Sequence, residues 1–131
     1  MDAGVAMDKF PDDEKKFLEK VNQYYGRMDD PTCSAFLKGP CGDSMEFYLV
    51  IENETVTDVK VYSDGCGATQ ACAVIAADLA YRKTINGVLS ISPAEIIRTL
   101  KVLPEDHLHC AILAVTTLYR AIADYLLQRG R

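Results

Sequence analysis

Two short segments rich in β-branched and aromatic residues constrain the fold of this chain most. They cover residues 45–51 and 55–62, and the polar step Glu52-Asn53-Glu54 lies between them. Two such segments joined by a short polar turn are typical of an antiparallel β-hairpin. Because the strands would meet near Asn53, paired residues should have numbers that sum to about 106 or 107. The sequence therefore predicts a hairpin with a fixed register.

This register brings distant residues together at the open end of the hairpin. Cys41 and Cys66 satisfy the pairing rule although 25 positions separate them, so we expect them to lie side by side. Asp43 belongs to the same end. Thiols and carboxylates are metal ligands, which makes this end of the hairpin a candidate metal site.

Helical patterns surround the hairpin, and one region favours neither helix nor strand. Residues 28–40 carry Asp-Asp-Pro and Gly-Pro breakers, which predict a region that is largely loop with at most a short edge strand. Four helices are predicted. The first begins at Pro11-Asp12-Asp13-Glu14 and ends at Gly26, the second is buried and covers 68–80, and the third is short and begins at Ser92-Pro93-Ala94-Glu95. The fourth is long and has an apolar stripe made of Leu108, Ile112, Val115, Tyr119, Ile122 and Leu126. The stripe is expected to cover the sheet.

Length and charge limit the class of protein. The 131 residues suit one domain, 1–131, and 49% hydrophobic with 25% charged residues is an ordinary globular composition. A formal net charge of −5 argues against nucleic acid as a partner. No targeting segment is evident at the start, and no apolar run approaches the roughly 20 residues that cross a bilayer. We therefore expect a cytoplasmic protein without a membrane partner.

Five cysteines in a reducing compartment indicate metal or redox roles rather than disulfides. Three of them are framed as Cys41-Gly42-Asp43, Gly65-Cys66-Gly67 and His109-Cys110. Cys66 and Cys110 each precede or open a predicted helix, where backbone N–H groups favour a thiolate. The three thiols with Asp43 or His109 supply the four ligands of a zinc site or a small iron–sulfur cluster.

Each of these residues also has a structural interpretation. Cys72 lies inside the Ala-rich helix and is expected to be a small core residue, whereas Cys33 stays undecided. Asp43 could cap a turn, and His107 could be a plain surface residue. The chain contains no Ser-His-Asp order, phosphate-binding glycine loop or His-Glu-x-x-His helix. We therefore expect a metal or cluster carrier rather than an enzyme.

Three motifs resemble the U-type iron–sulfur cluster scaffolds, the family of IscU and the N-terminal domain of NifU. They are Gly39-Pro40-Cys41-Gly42-Asp43, Asp64-Gly65-Cys66-Gly67 and the segment from Leu108-His109-Cys110 to Ala114, and Ala121 to Tyr125 resembles the closing helix of the family. The similarity covers roughly Lys38 to Tyr125. It implies an α+β fold with a small antiparallel three-stranded sheet and about four helices packed on it.

The resemblance also implies a function and its partners. A cysteine desulfurase would supply sulfur, iron would enter, and a transient [2Fe–2S] cluster would pass to acceptor proteins. Cys41, Cys66 and Cys110 would be cluster ligands and sulfur acceptors, with Asp43 or His109 in the fourth place and Asp43 as the release element. Zinc binds at the same site in family members.

The chain departs from the family before its third motif. Leu103-Pro104-Glu105-Asp106-His107 stands where the family has the Leu-Pro-Pro-Val-Lys segment that recruits an Hsp70-type chaperone, which puts chaperone-assisted release in doubt. The helix after Cys66 carries Thr69-Gln70-Ala71-Cys72-Ala73 in place of a Ser-rich stretch.

Two other interpretations stay open: a zinc-binding sulfurtransferase partner of a desulfurase, like SufU, and a purely structural zinc domain.

Overall fold

The computed structural model describes residues 12–40, 42–100 and 108–129. These residues form an α+β fold with one three-stranded antiparallel sheet in the order β1-β2-β3, which confirms the predicted fold class. The elements are α1 (Asp12–Tyr24), β1 (Cys33–Lys38), β2 (Ser44–Glu52), β3 (Thr55–Tyr62), α2 (Gly67–Ala80), α3 (Ile85–Leu89), α4 (Pro93–Leu100) and α5 (Leu108–Arg129). The described residues hold five helices where about four were expected. The additional one is the five-residue α3.

The hairpin of β2 and β3 forms as predicted, with one change in register. Asn53 and Glu54 make its two-residue turn, with positive φ angles of 54° and 61°, as a turn that matches the twist of the strands requires. Glu52 pairs with Thr55 next to the turn, and Glu46 pairs with Tyr62 at the far end. A β-bulge between Val50 and Ile51 shifts the pairing by one position relative to a uniform hairpin.

The region predicted to be largely loop contains a full edge strand. β1 pairs with β2 at six positions, from Cys33 opposite Leu49 to Lys38 opposite Ser44. The breakers Asp30-Pro31 and Gly39-Pro40 lie on either side of the strand instead of interrupting it. On the free edge, the Ser34 N–H donates to Asp124 Oδ2 of α5 at 3.3 Å, so a helix side chain occupies part of the edge.

One face of the sheet forms the core together with α2 and α5. Phe47, Leu49 and Val59 of the sheet have no exposed surface, and neither do the small residues Ala73, Ala76 and Ala77 of α2. Small side chains on α2 let it pack closely between the sheet and α5. The predicted buried helix over 68–80 therefore agrees with the structure, and Cys72 is part of this core.

The apolar face of α5 differs from the predicted stripe. Leu108 and Ile112 are 38% and 56% exposed, whereas Ala111, Ala114 and Leu118 are fully buried. The buried face is wider than one stripe because α5 contacts the strands β1 and β2 and also the helices α2 and α4. The exposed pair lies at the start of α5, where the sheet ends.

α5 is also the one helix among the described residues that could cross a membrane by length and composition. No apolar run of this length was predicted from the sequence, because polar residues interrupt the run. Half of its most apolar window is buried inside the fold, as in the core helix of a soluble protein.

Candidate metal centre

The N-terminal ends of one strand and two helices meet at the open end of the hairpin. Asp43 precedes β2, Cys66 precedes α2, and Cys110 lies in the first turn of α5. One carboxylate oxygen and the two sulfur atoms all lie within 4.8 Å of one another. The structure therefore brings together three of the five residues predicted for the site. The two that are most distant in the sequence, Asp43 and Cys110, are 67 positions apart.

A tight turn after β1 positions Asp43. The N–H of Gly39 donates to the Asp43 carbonyl oxygen at 2.7 Å, and the N–H of Gly42 donates to the Gly39 carbonyl oxygen at 3.0 Å. Gly42 has a φ of 92°, a conformation that glycine adopts without strain. The turn returns the chain to the sheet with the Asp43 side chain at its end.

Hydrogen bonds between the ends of β2 and β3 fix the next residues. The backbone N–H and the hydroxyl of Ser44 donate to Asp64 Oδ1 at 3.0 and 2.7 Å, and these donors hold the pKa of the Asp64 carboxyl below its usual range. The buried Ser63 hydroxyl donates to the Ser44 carbonyl oxygen at 2.6 Å and accepts from the Gly65 N–H at 3.0 Å. Asp43 and Cys66 thus flank two hydrogen-bonded strand ends.

Cys66 is the N-cap residue of α2, with φ −68° and ψ 174°, and it is an exposed residue. The pKa of this thiol lies below its usual value, chiefly because the Thr69 hydroxyl stabilises the thiolate and the backbone N–H groups of Thr69 and Ala68 assist. The predicted thiolate character of Cys66 agrees with this shift.

Thr69 connects the three groups of the site. Its hydroxyl donates to Asp43 Oδ2 at 2.6 Å, and its oxygen lies 3.4 Å from Cys66 Sγ and 3.2 Å from Cys110 Sγ. Thr69 was not among the residues predicted for the site. The spacing Cys66-x-x-Thr69 at the start of a helix could have indicated it, because residues three apart share a helix face.

Cys110 and His109 occupy the α5 side of the site. Cys110 is buried, at 1% exposure, and the Nε2 atom of the half-buried His109 lies 3.7 Å from its sulfur. His109 does not belong to the group of three ligand atoms that lie within 4.8 Å of one another. The imidazole therefore contacts Cys110 but is not in the group of three ligand atoms.

The remaining predicted residues fall into two groups. Cys41, His107 and the segment 103–107 lie outside the described residues. Cys33 and Cys72 are buried and form no disulfide, and burial raises the pKa of each thiol to about 12. This protonated state suits core residues, and it matches the structural interpretation of Cys72.

The donor set suits a thiophilic metal. Thiolates and carboxylates are both ligand types that zinc binds, and thiolates are the ligands of iron–sulfur clusters. With one exposed and one buried thiol, the site faces solvent on the Cys66 side. These residues therefore fit either zinc or a cluster.

Comparisons with known proteins agree with this fold and donor set. The profile of the family described as the NifU-like N terminal domain matches residues 13–131. The iron–sulfur cluster assembly scaffold protein IscU 1 of Archaeoglobus fulgidus is 33% identical over 107 residues, which are 81% of this chain and 70% of that protein. The IscU protein of Aquifex aeolicus is 34% identical over 93 residues, 70% of this chain and 59% of that protein.

A solved structure has the same fold. The crystal structure of a putative SUF-system scaffold protein from Fervidobacterium islandicum covers 86% of this chain and 96% of its own, with a TM-score of 0.65 and 18% sequence identity. The chain belongs to the NifU-like N-terminal domain family, as its three cysteine motifs predicted.

Proposed function

We propose that this chain, as a single domain, is a scaffold on which a transient [2Fe–2S] cluster is assembled and from which it passes to acceptor proteins. The observation that carries the proposal is the convergence of Asp43, Cys66 and Cys110 within 4.8 Å in a member of this family. The relatives from Archaeoglobus fulgidus and Aquifex aeolicus are both named as iron–sulfur cluster assembly scaffold proteins. A carrier of this kind is not an enzyme.

Cys41, Cys66 and Cys110 are the proposed thiolate ligands of the cluster. Asp43 takes the fourth place in this proposal, because its carboxylate lies within reach of both described sulfur atoms. His109 is the alternative fourth ligand, since its ring nitrogen lies 3.7 Å from Cys110 Sγ. A carboxylate is a harder and weaker partner for iron than a thiolate, so one position of the site can open for release.

Cys66 is the proposed first acceptor of sulfur, because its thiol is exposed and the Cys110 thiol is buried. The Cys66 thiolate would attack the outer sulfur of a persulfide on a cysteine desulfurase. A new S–S bond forms on Cys66, the S–S bond on the desulfurase breaks, and the desulfurase leaves as a thiolate. Two electrons per sulfur from an external thiol reductant then yield the sulfide of the cluster.

The proposed partners are a cysteine desulfurase and apo iron–sulfur acceptor proteins. An Hsp70-type chaperone stays doubtful, because Glu105-Asp106-His107 stands in the segment that the resemblance associates with it. We place the protein in the cytoplasm, with no nucleic-acid or membrane partner. The acidic net charge of −5 supports the absence of nucleic acid.

The second candidate function is a zinc-binding sulfurtransferase partner of a desulfurase. It is favoured by the donor set itself, because two thiols and a carboxylate are also a set that zinc accepts. In that case one of the thiols accepts sulfur while the metal orders the site.

Anaerobic reconstitution separates the two functions. The protein is incubated with ferrous iron, cysteine, a cysteine desulfurase and a thiol reductant, and its visible absorption and acid-labile sulfide are then measured. We expect sulfide and iron in equal amounts, with the absorption of a [2Fe–2S] cluster. Retention of one zinc without any sulfide would contradict the scaffold proposal and favour the sulfurtransferase partner.

A further inference from the structure

We propose that Thr69 is a positioning residue whose hydroxyl fixes the Asp43 carboxylate in the orientation that binds metal. The inference rests on the proposed function, in that Asp43, Cys66 and Cys110 are taken as the metal site. Thr69 itself is not proposed as a ligand. It acts through Asp43.

The position of Thr69 is unusual for a threonine near a helix start. It has no exposed surface, and it lies one turn after Cys66 on α2, so its side chain points into the site rather than to solvent. Its hydroxyl contacts both described sulfur atoms and one carboxylate oxygen. A buried hydroxyl that touches three candidate ligands occupies the centre of the site.

The hydroxyl has one proton, so it can donate to only one of its three neighbours at a time. Thr69 donates that proton to Asp43 Oδ2 at 2.6 Å, which is a short bond to a charged acceptor and therefore a strong one. Asp43 Oδ1 and the second lone pair of Oδ2 remain available for a metal. The hydroxyl thus fixes the orientation of the carboxylate and leaves carboxylate lone pairs available to bind a metal.

The bond also joins two elements that are separate in the sequence. Asp43 lies between β1 and β2, and Thr69 belongs to α2, 26 positions later. A β-branched side chain in a helix has few χ1 rotamers, so Thr69 is a stiff support. Loss of the hydroxyl would leave the Asp43 side chain free to rotate away from the two sulfur atoms.

The magnitude of the effect follows from comparable supports in other metal sites. Removal of a residue that orients a metal ligand typically lowers metal affinity about 10- to 100-fold. We therefore expect a loss of this size when the Thr69 hydroxyl is removed. A hydroxyl without the methyl group should preserve the affinity.

Cobalt binding tests the proposal, because Co²⁺ is a coloured probe of thiolate and carboxylate ligands. The metal-free, reduced full chain is titrated with Co²⁺ alone, and thiolate-to-cobalt charge transfer and d–d bands are followed. Thr69→Val keeps the shape and removes the hydroxyl, whereas Thr69→Ser keeps the hydroxyl. Thr117→Val is the matched control, because Thr117 is equally buried and donates to the Leu113 carbonyl oxygen at 2.7 Å within its own helix.

We expect Thr69→Val to bind Co²⁺ about 10- to 100-fold more weakly, with altered d–d bands, and Thr69→Ser and Thr117→Val to resemble the wild type. In an Asp43→Ala background, Thr69→Val should cause a clearly smaller loss than it does in the wild type, because the hydroxyl can then act only on the two thiols. If Thr69→Val fails to fold, Thr69→Ala takes its place with the same expectation.

The outcomes distinguish the two proposals. Two results would overturn the role of Thr69 and leave the proposed metal site standing. One is unchanged or tighter Co²⁺ binding by Thr69→Val, and the other is an equal loss of Co²⁺ affinity from Thr69→Val in the presence and absence of Asp43. If the wild type binds Co²⁺ without any thiolate charge transfer, the proposed metal site itself is wrong.

Discussion

Gly65 and Asp43 are in such close contact that Gly65 has no room for a side chain. A Cβ atom on Gly65 would lie 2.8 Å from Cγ and 2.9 Å from Oδ2 of Asp43, and 2.9 Å from Cβ of Thr69. Real Cβ contacts of this length are essentially absent from proteins. The glycine before Cys66 therefore provides the space in which the carboxylate lies.

We predict that Gly65→Ala displaces the Asp43 carboxylate and weakens zinc binding, with a loss of stability of about 1–3 kcal/mol from overpacking. Gly67→Ala is the matched control, since a Cβ atom there meets nothing within 4 Å. Isothermal titration with Zn²⁺ and thermal unfolding of both variants check this prediction. Equal zinc affinities in the two variants would show that the space at Gly65 is not needed.

Ser63 supports the site through two hydrogen bonds. Its buried hydroxyl links the Ser44 carbonyl oxygen to the Gly65 N–H. Ser63→Ala should therefore lower the free energy of unfolding by about 1–3 kcal/mol, because two backbone groups lose their partner. Ser90→Ala removes an exposed hydroxyl that bonds within its own helical turn and should have little effect. Chemical denaturation measures the free energy of unfolding of the two variants, and equal values would contradict the prediction.

The thiols should differ in how their reactivity depends on pH. The pKa of Cys66 is lowered by hydrogen bonds to its thiolate, so in metal-free protein it should react with iodoacetamide at a lower pH than an ordinary cysteine does. Cys33 and Cys72, whose pKa values are raised to about 12, should stay unmodified until the protein unfolds. Peptide mass spectrometry across pH 6–9 follows each cysteine. Modification of Cys72 at the rate of Cys66 would show that the burial is misassigned.

Asp43 is the proposed release element, because it is the carboxylate among thiolate ligands. We predict that Asp43→Ala slows transfer of the cluster to an apo-ferredoxin. Asp29→Ala replaces an exposed carboxylate in the loop after α1 and should transfer the cluster at the wild-type rate. The transfer is followed by circular dichroism in the visible range. Faster transfer from Asp43→Ala would contradict the proposed role.

Much of the fold could be predicted because local patterns and packing agree. The hairpin, the buried α2 and the hydrogen bond from the Ser92 N–H to the Glu95 side chain all follow from residues close in sequence. β1 could not be predicted with certainty, because its stability comes from pairing with β2 and not from its own residues. The exposure of Leu108 and Ile112 depends on where the sheet ends, and helical periodicity carries no information about that.

The convergence of the candidate site residues could be predicted from the sequence, but the hydrogen bonds around them could not. The register of the hairpin indicated that Asp43 and Cys66 lie at one end, and the third motif supplied Cys110. The bulge at Val50 changed the register without separating them. The contacts of Thr69 and Ser63 were not predicted, because they depend on distances across elements that residue types alone do not give.

The assignment of the thiols is tested most directly by the sulfide content of four single variants after anaerobic reconstitution with iron, cysteine and a desulfurase. Cys66→Ala and Cys110→Ala remove thiols of the site, and Cys33→Ala and Cys72→Ala remove buried thiols outside it. We predict wild-type sulfide and a [2Fe–2S] spectrum in Cys33→Ala and Cys72→Ala, and little sulfide in the other two. A normal cluster in Cys66→Ala, or its loss in Cys72→Ala but not in Cys66→Ala, would contradict the proposed site.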